Sequence, residues 1–300
     1  MSHDDGNQST SHTPRYVVVA RHGERLDYVR RDAGSPWTPT AEKPYDPPLT
    51  EHGVAQATRL GQHLATELIR LGIPQVRAIY TSPFLRCRQT SLAAARGLDR
   101  QHQPRTSSPH APPIVRVEYG LCESFNDPWY RSWSIPGTDG TWGFRSRDVK
   151  LEDLDPDTIH PWSKQPIQDL PLFRDWRSDP GLDVTYESQT IISKPYALYP
   201  DLTLETREEQ CARMKDVVDK TTASSSEGDT ILLFSHGAPV THLFEELTGK
   251  SWKDHGRSEY CCYSIYKSTP DGGWEAIAVN ESKYLQEELR GDNYVAEETK

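Results

Sequence analysis

Short apolar runs alternate along the chain with longer amphipathic stretches, the pattern expected of strands alternating with helices. The first run, Tyr16 to Ala20, is apolar without a break, which is typical of a strand buried on both faces. The other runs of this kind lie at 76–80, 114–117, 231–234, 260–266 and 274–279. The pattern predicts an α/β fold, a three-layer sandwich with helices on both faces of a mostly parallel central sheet.

Two helices are predicted from their apolar spacing and their capping residues. Between 51 and 71 apolar positions recur at helical spacing, with Thr50 suited to the N-cap and Gly72 to the position just past the C-terminus. Thr206 and Glu209 form the sequence pattern of a capping box, which predicts that a later helix begins there. A third helix is expected to start at Ser82, as its cap, with proline at the first helical position.

The regular pattern is interrupted once and is absent at both ends. Residues 1–14 are polar and are expected to form a disordered tail, and 286–300 a polar C-terminal tail. One domain, 15–285, is predicted between them, with an insertion at about 125–200 that holds five of the eight tryptophans. Because so long an irregular stretch is usually functional or a lid, its tryptophans are open to two interpretations, a satellite core or a substrate platform.

Charge and cysteine content narrow the class of protein. A net charge of −10 argues against direct binding of nucleic acid or of an anionic membrane, so any bound anion must be attracted by a local cluster. The five cysteines show no metal-ligand spacing, and no apolar signal region or 18-residue apolar span is present. We therefore expect a cytoplasmic protein, with the nucleus as the alternative compartment, and neither a metal nor another cofactor.

Charged residues follow the ends of four predicted strands. Because the carboxyl ends of parallel strands meet at one edge of a sheet, these residues should converge. They are Arg21, His22 and Arg25 after the first strand, Arg86 after the second, Glu123 after the third, and His236 after the fourth.

This set of residues fits phosphoryl transfer. Guanidinium groups match phosphate oxygens, and a histidine among them would have a lowered pKa and remain a neutral nucleophile. Gly23 could hold the other ring nitrogen of His22 with its carbonyl. His236 is placed to donate a hydrogen bond to a phosphate oxygen, and Glu123 to exchange protons with the leaving oxygen and with water.

Four segments in order, "ARHGER", "IYTSPFLRCRQT", "VEYGLCES" and "LLFSHGAPV", resemble the histidine phosphatase (phosphoglycerate mutase-like) superfamily. The R-H-G-E-R form is most similar to its branch of Sts-type and ecdysteroid-phosphate phosphatases. The resemblance implies a phosphoglycerate mutase-like fold. It also implies His22 as nucleophile, a phosphate pocket of Arg21, Arg25, Arg86 and His236, and Glu123 as general acid/base.

Several alternatives stay open. Arg25 could instead pair with Glu24 or Asp27, and Glu118 and Asp127 are rivals of Glu123.

The expected activity is metal-independent hydrolysis of phosphomonoesters, on a small molecule or a phosphoprotein. The alternatives are a mutase, or a weakly active interaction subunit of a larger assembly. A homodimer is compatible with the acidic surface. No cysteine has an arginine six positions after it, so a cysteine phosphatase is excluded.

Overall fold

A computed structural model of the chain describes residues 13–101, 113–124, 153, 155–157, 169–190, 205–285 and 289. Most of the predicted insertion and of both predicted tails therefore lies outside the described residues. None of the described helices is long and apolar enough to cross a membrane.

Six strands form one sheet in the order β3-β2-β4-β1-β5-β6. Their bounds are β1 (Tyr16–Arg21), β2 (Val76–Thr81), β3 (Val115–Val117), β4 (Thr230–Ser235), β5 (Tyr263–Ser268) and β6 (Trp274–Glu281). The four strands from β3 to β1 run parallel, whereas β5 is antiparallel to β1 and β6 to β5. The mostly parallel central sheet predicted from the sequence is confirmed.

The described part of the chain contains five α-helices, and all but the first pack on the two faces of the sheet. They are α1 (Leu26–Asp32), α2 (Glu51–Arg70), α3 (Leu85–Gln101), α4 (Arg207–Ala223) and α5 (Gly237–Thr248), of which the sequence pattern missed α1. Val18 and Ala20 of β1 join a core with α2 and α3, and Val17 and Val19 join a second core with α4 and α5. All four side chains are completely buried, which explains why β1 reads as a continuous apolar run.

The start of α3 differs from the prediction. The helix begins at Leu85, not at Pro83 with Ser82 as its cap. The backbone N–H of Leu85 donates to the Asp46 carboxylate at 2.7 Å, while the Ser82 hydroxyl bonds to His236 at 2.9 Å and accepts only a long bond, at 3.4 Å, from the Phe84 N–H. A carboxylate distant in sequence therefore caps the helix. The predicted cap at Thr50 and the capping box of Thr206 and Glu209 are confirmed.

The strand predicted at 260–266 begins only at Tyr263. Cys261 has a φ of 53°, so the chain turns there instead of extending. The turn still contacts β1 and the residue after it, because the Arg21 N–H donates to the Cys262 carbonyl and the Cys261 N–H donates to the His22 carbonyl. This turn therefore abuts the site end of β1.

Residues 169–190, called the edge segment below, lie beside β3, the outermost strand on that side of the sheet. Leu182 forms a parallel bridge with Val115, and the Asp183 N–H donates to the Val115 carbonyl at 2.8 Å. Trp176 of this segment is 1% exposed and belongs to the core of α2 and α3. Trp176 thus matches the core interpretation. The other four tryptophans of the predicted insertion lie outside the described residues.

Candidate active site

Strand register brings the two predicted site histidines together. Arg21 of β1 is paired with Ser235 of β4, so His22 and His236 follow two adjacent strand ends. Their ring centroids lie 5.3 Å apart with the rings edge to face. Both side chains are buried, with exposures of 1% and 0%.

The tautomer of His22 follows from its neighbour. Its Nδ1 lies 2.7 Å from the Gly23 carbonyl oxygen, which can only accept, so Nδ1 carries the proton. The unprotonated nitrogen is then Nε2. Gly23 is required here by space as well, because a Cβ at this position would lie 2.6 Å from the Gly53 carbonyl oxygen. The backbone therefore fixes which nitrogen of His22 holds a lone pair.

The surroundings of His22 keep its imidazole neutral. Burial lowers its pKa well below the ordinary value, and the nearby charges of Arg86, Arg21 and Arg25 lower the pKa further. The hydrogen bond with Gly23 acts in the opposite direction and is the smaller effect. A histidine in such a field remains a nucleophile in mildly acidic solution.

Arg86 is a buried cation with donors to spare. Its side chain is 1% exposed, and Nη2 donates to His236 Nδ1 at 3.0 Å and lies 3.7 Å from Glu123 Oε2. Its Nε and Nη1 atoms are buried and have no hydrogen-bond partner within the described part of the chain. Burial lowers the pKa of Arg86, and the charge of Arg25 adds to this effect. Unpaired guanidinium donors in a buried position are suited to an anion.

The other two predicted phosphate ligands differ from each other. Arg21 donates through Nη1 to the Ser258 carbonyl at 2.7 Å and lies 4.4 Å above the Tyr260 ring. Arg25 pairs with both oxygens of Asp27, at 3.0 Å from Nε and 2.7 Å from Nη2. The pairing with Asp27 was one of the open alternatives. It offsets part of the charge that Arg25 brings to the site.

His236 is engaged through both ring nitrogens. Since Nδ1 accepts from Arg86, Nε2 carries the proton and donates to the Ser82 hydroxyl at 2.9 Å. Burial and the charges of Arg86 and His22 lower the pKa of His236 well below its ordinary value. In this arrangement His236 orients Arg86. To donate a hydrogen bond to a phosphate from Nδ1, as the sequence predicts, His236 must carry its proton on Nδ1. Nε2 would then accept a hydrogen bond from the Ser82 hydroxyl.

Glu123 faces this cluster. Its side chain is buried, Oε1 accepts from the Ser124 N–H at 3.0 Å, and Oε2 lies 3.5 Å from His236 Nδ1. Its rival Glu118 is turned away and bonds to the edge segment. The second rival, Asp127, lies outside the described residues. The structure therefore gathers all six predicted site residues.

Two further residues near the site, Asp46 and Arg213, were not predicted from the sequence. Asp46 is buried, and burial raises the pKa of its carboxyl although Arg86 and Arg88 act in the opposite direction. Its only signal in the sequence is its place before the two prolines of "YDPPLT". Arg213 of α4 binds the loop that carries Glu123 and showed no signal at all.

The chain belongs to the histidine phosphatase superfamily (branch 1), whose family model matches residues 17–107 and 186–282. The predicted resemblance is thereby confirmed. Membership supports an activity of the phosphatase or mutase type.

The curated ecdysteroid-phosphate phosphatase of Drosophila melanogaster is 30% identical over 150 residues, covering 42% of this chain and 18% of that protein. The chain thus spans less than a fifth of this relative's length. Two solved structures share the fold. The ecdysone phosphate phosphatase of Bombyx mori, in complex with tungstate, has a TM-score of 0.52 at 19% identity, covering 89% of this chain and 93% of that one. A mycobacterial glucosyl-3-phosphoglycerate phosphatase has a TM-score of 0.50 at 18% identity, covering 90% and 100%.

Proposed function

We propose that this protein hydrolyses phosphomonoesters through a phosphohistidine at His22 and needs no metal ion. The observation that carries the proposal is the buried, neutral imidazole of His22 beside Arg86, whose Nε and Nη1 donors are buried and unpaired in the described structure. A phosphate dianion supplies the acceptors that these donors lack. Fixed guanidinium charge then takes the part that a metal ion plays in other phosphoryl transferases.

In the first step His22 Nε2 attacks phosphorus and the bond from phosphorus to the ester oxygen breaks. The leaving oxygen takes a proton from the carboxyl group of Glu123, so the alcohol departs neutral. Glu123 suits this role because its Oε2 lies beside Arg86 and His236, the groups that would hold the phosphate. The products of the step are the free alcohol, phosphorylated His22 and the Glu123 carboxylate.

In the second step water attacks the phosphorus of phospho-His22. The Glu123 carboxylate takes a proton from that water, and the nitrogen of His22 leaves with its electron pair. Inorganic phosphate, neutral His22 and protonated Glu123 result, so the cycle closes. The low pKa of His22 supports this step too, because a weakly basic nitrogen leaves readily.

Relatives support hydrolysis of this bond class. Both the Drosophila relative and the two structural neighbours are named as phosphatases, and the Bombyx structure holds tungstate, an oxyanion shaped like phosphate. The proposal takes from them the phosphomonoester bond alone and leaves the alcohol unspecified.

The test is hydrolysis of p-nitrophenyl phosphate in excess EDTA by the native protein and by His22→Ala. We expect activity to survive EDTA and to fall at least about a thousandfold in the variant. His255→Ala removes an exposed histidine whose ring packs against Phe244, so it is the control and should behave as native. Quenching with alkali during turnover should trap an alkali-stable, acid-labile phosphate on the native protein and on the control, but not on His22→Ala.

Other results would overturn parts of the proposal. Loss of activity in EDTA with recovery on adding Mg²⁺ contradicts metal independence. Equal background rates in the native protein and His22→Ala would favour an interaction subunit. Transfer of the phosphate to an added alcohol in preference to water would instead assign a mutase-type reaction.

A further inference from the structure

The loop after β3 holds Glu123, and its described part, 118–124, contains no regular structure beyond the 3-10 turn Tyr119–Leu121. An irregular loop leaves its carbonyl groups to be satisfied from elsewhere. Here they are satisfied by side chains. The Ser235 hydroxyl donates to the Leu121 carbonyl at 2.8 Å, and Arg213 of α4 donates to the carbonyls of Gly120, Cys122 and Glu123.

Arg213 uses every donor of its guanidinium group. Nη1 donates to Gly120 at 2.5 Å and to Cys122 at 3.1 Å, and Nη2 donates to the Glu123 carbonyl at 3.4 Å. The remaining N–H groups of Nε and Nη2 bind the two oxygens of Glu205 at 2.6 and 2.8 Å. A guanidinium group has five N–H donors in a planar fork, so the arrangement is saturated.

The pair of Arg213 and Glu205 is itself held in a dry place. Their side chains are only 9% and 7% exposed, so solvent competes little with these bonds. Gln210, one turn earlier on the same helix, donates to the Ser124 hydroxyl. Helix α4 therefore fixes the loop on both sides of the Glu123 carboxyl group.

We propose that Arg213, oriented by Glu205, is a positioning residue that fixes the Glu123 carboxyl group for proton transfer. This inference rests on the proposed function, because it assigns to Glu123 the proton-transfer role given above. Arg213 holds the carbonyls of Gly120, Cys122 and Glu123. A displacement of about 1 Å at a reacting group can cost about a hundredfold in rate.

The leaving group provides a test that a general loss of structure cannot imitate. Phenolate needs a proton as it leaves far more than p-nitrophenolate does, so a misplaced acid harms hydrolysis of phenyl phosphate more. The quantity to measure is kcat/KM for both esters, because it covers the steps up to departure of the alcohol. Glu123→Gln gives the reference value for complete loss of the acid.

Arg213→Lys keeps the charge but loses the planar fork. We expect kcat/KM for phenyl phosphate to fall about thirtyfold to a hundredfold, and that for p-nitrophenyl phosphate at most about fivefold. Adding Arg213→Lys to Glu123→Gln should cost little more, because the double variant removes one function twice.

Two further variants keep the inference open to refutation. Glu205→Gln retains Arg213 and should shift the ratio of the two esters in the same direction by a smaller factor. Arg116→Lys is the matched control, since Arg116 also pairs with a carboxylate, Asp183, but donates to no carbonyl in the described part of the loop, 118–124. Its ratio should equal that of the native protein.

Equal losses on both esters in Arg213→Lys, or costs that add in the double variant, would reduce Arg213 to a structural residue. If Arg213→Lys does not fold, Glu205→Gln with an unchanged ratio has the same meaning. Failure of the proposed function shows differently, as activity that does not depend on His22.

Discussion

Two glutamates five residues apart at the end of β3 meet opposite surroundings. Glu118 is completely buried, and its oxygens accept from Tyr186, Ser188, Gln189 and Thr190 of the edge segment. Glu123 is 5% exposed and accepts from the N–H of Ser124 while facing Arg86 and His236. The oxygens of Glu118 are fully used by hydrogen bonds within the fold, whereas Glu123 still has an oxygen available to a ligand. Saturation of hydrogen bonds, more than burial, separates the structural carboxylate from the one that we propose as the general acid.

Replacing each carboxylate by its amide should separate the two roles, and the quantity to measure is kcat/KM on phenyl phosphate. Glu123→Gln keeps the shape but cannot release a proton, so we expect a loss of about a hundredfold to ten-thousandfold. Glu118→Gln, compared at a temperature where it is folded, should stay within about threefold of the native value, because the described partners of its carboxylate lie in the edge segment and at Gly120, not among the six site residues. Near-native kinetics of Glu123→Gln would end its assignment as the acid.

Stability should show the reverse order. In Glu118→Gln an amide N–H₂ replaces an oxygen that now accepts from backbone N–H groups, so buried donors face each other. We expect a loss of about 2–4 kcal/mol in the free energy of unfolding. Glu123→Gln should lose less than about 1 kcal/mol, since few bonds hold that carboxylate. Denaturant titration of both variants measures the difference, and equal losses would contradict it.

The buried histidines of the site should make the free energy of unfolding depend on pH. The pKa values of His22 and His236 are depressed in the folded protein, and burial is the main cause for both. The unfolded chain therefore binds more protons, so stability is full above the ordinary histidine pKa near 6.5 and is lost as pH falls below it. The slope should reach about 1.4 kcal/mol per pH unit for each histidine.

Thermal unfolding between pH 7.5 and 5 tests this slope. His236→Asn removes one of the two proton-binding groups, so its stability should fall less steeply with decreasing pH than that of the native protein. Parallel curves for the two proteins would show that His236 is charged in the fold or contributes nothing to the acid limb.

Features of the fold that depend on residues close together in the chain could be predicted from the sequence. The continuous apolar run of β1 and the capping residues Thr50 and Thr206 are local signals, and the structure agrees with them. Strand order then made it possible to expect His22, Arg86 and His236 at one edge, because parallel strands share it.

Long-range contacts lay outside such reasoning. The sequence predicts Ser82 as a helix cap, but its shorter hydrogen bond is to His236, more than 150 residues away, and Asp46 accepts from the first N–H of the helix. The saturation of Arg213 arises only when α4 packs against the loop after β3. The family resemblance favoured Glu123 over Glu118, but the physical reason, the partners that Glu118 has in the edge segment, is indicated by no local pattern.

The smallest expected effect concerns one donor to Glu118. Tyr186→Phe removes the hydroxyl that bonds to Oε2 at 2.8 Å but keeps the ring, which packs edge to face against Tyr80. A hydrogen bond to a charged acceptor contributes about 1.5–3 kcal/mol, and the other donors to Glu118 remain, so we expect a loss near 1.5 kcal/mol in the free energy of unfolding. kcat/KM should not change.

Tyr119→Phe is the matched control, because its hydroxyl ties the same edge segment through the neutral carbonyl of Phe173 at 3.0 Å. Neutral hydrogen bonds contribute about 0.5–1.5 kcal/mol, so this variant should lose less than Tyr186→Phe. A larger loss in Tyr119→Phe would mean that the charge of Glu118 adds nothing to its hold on the edge segment. Charge-assisted hydrogen bonding would then no longer explain why Glu118 stabilises the fold. The difference between Glu118 and Glu123 would depend only on how their neighbours are placed.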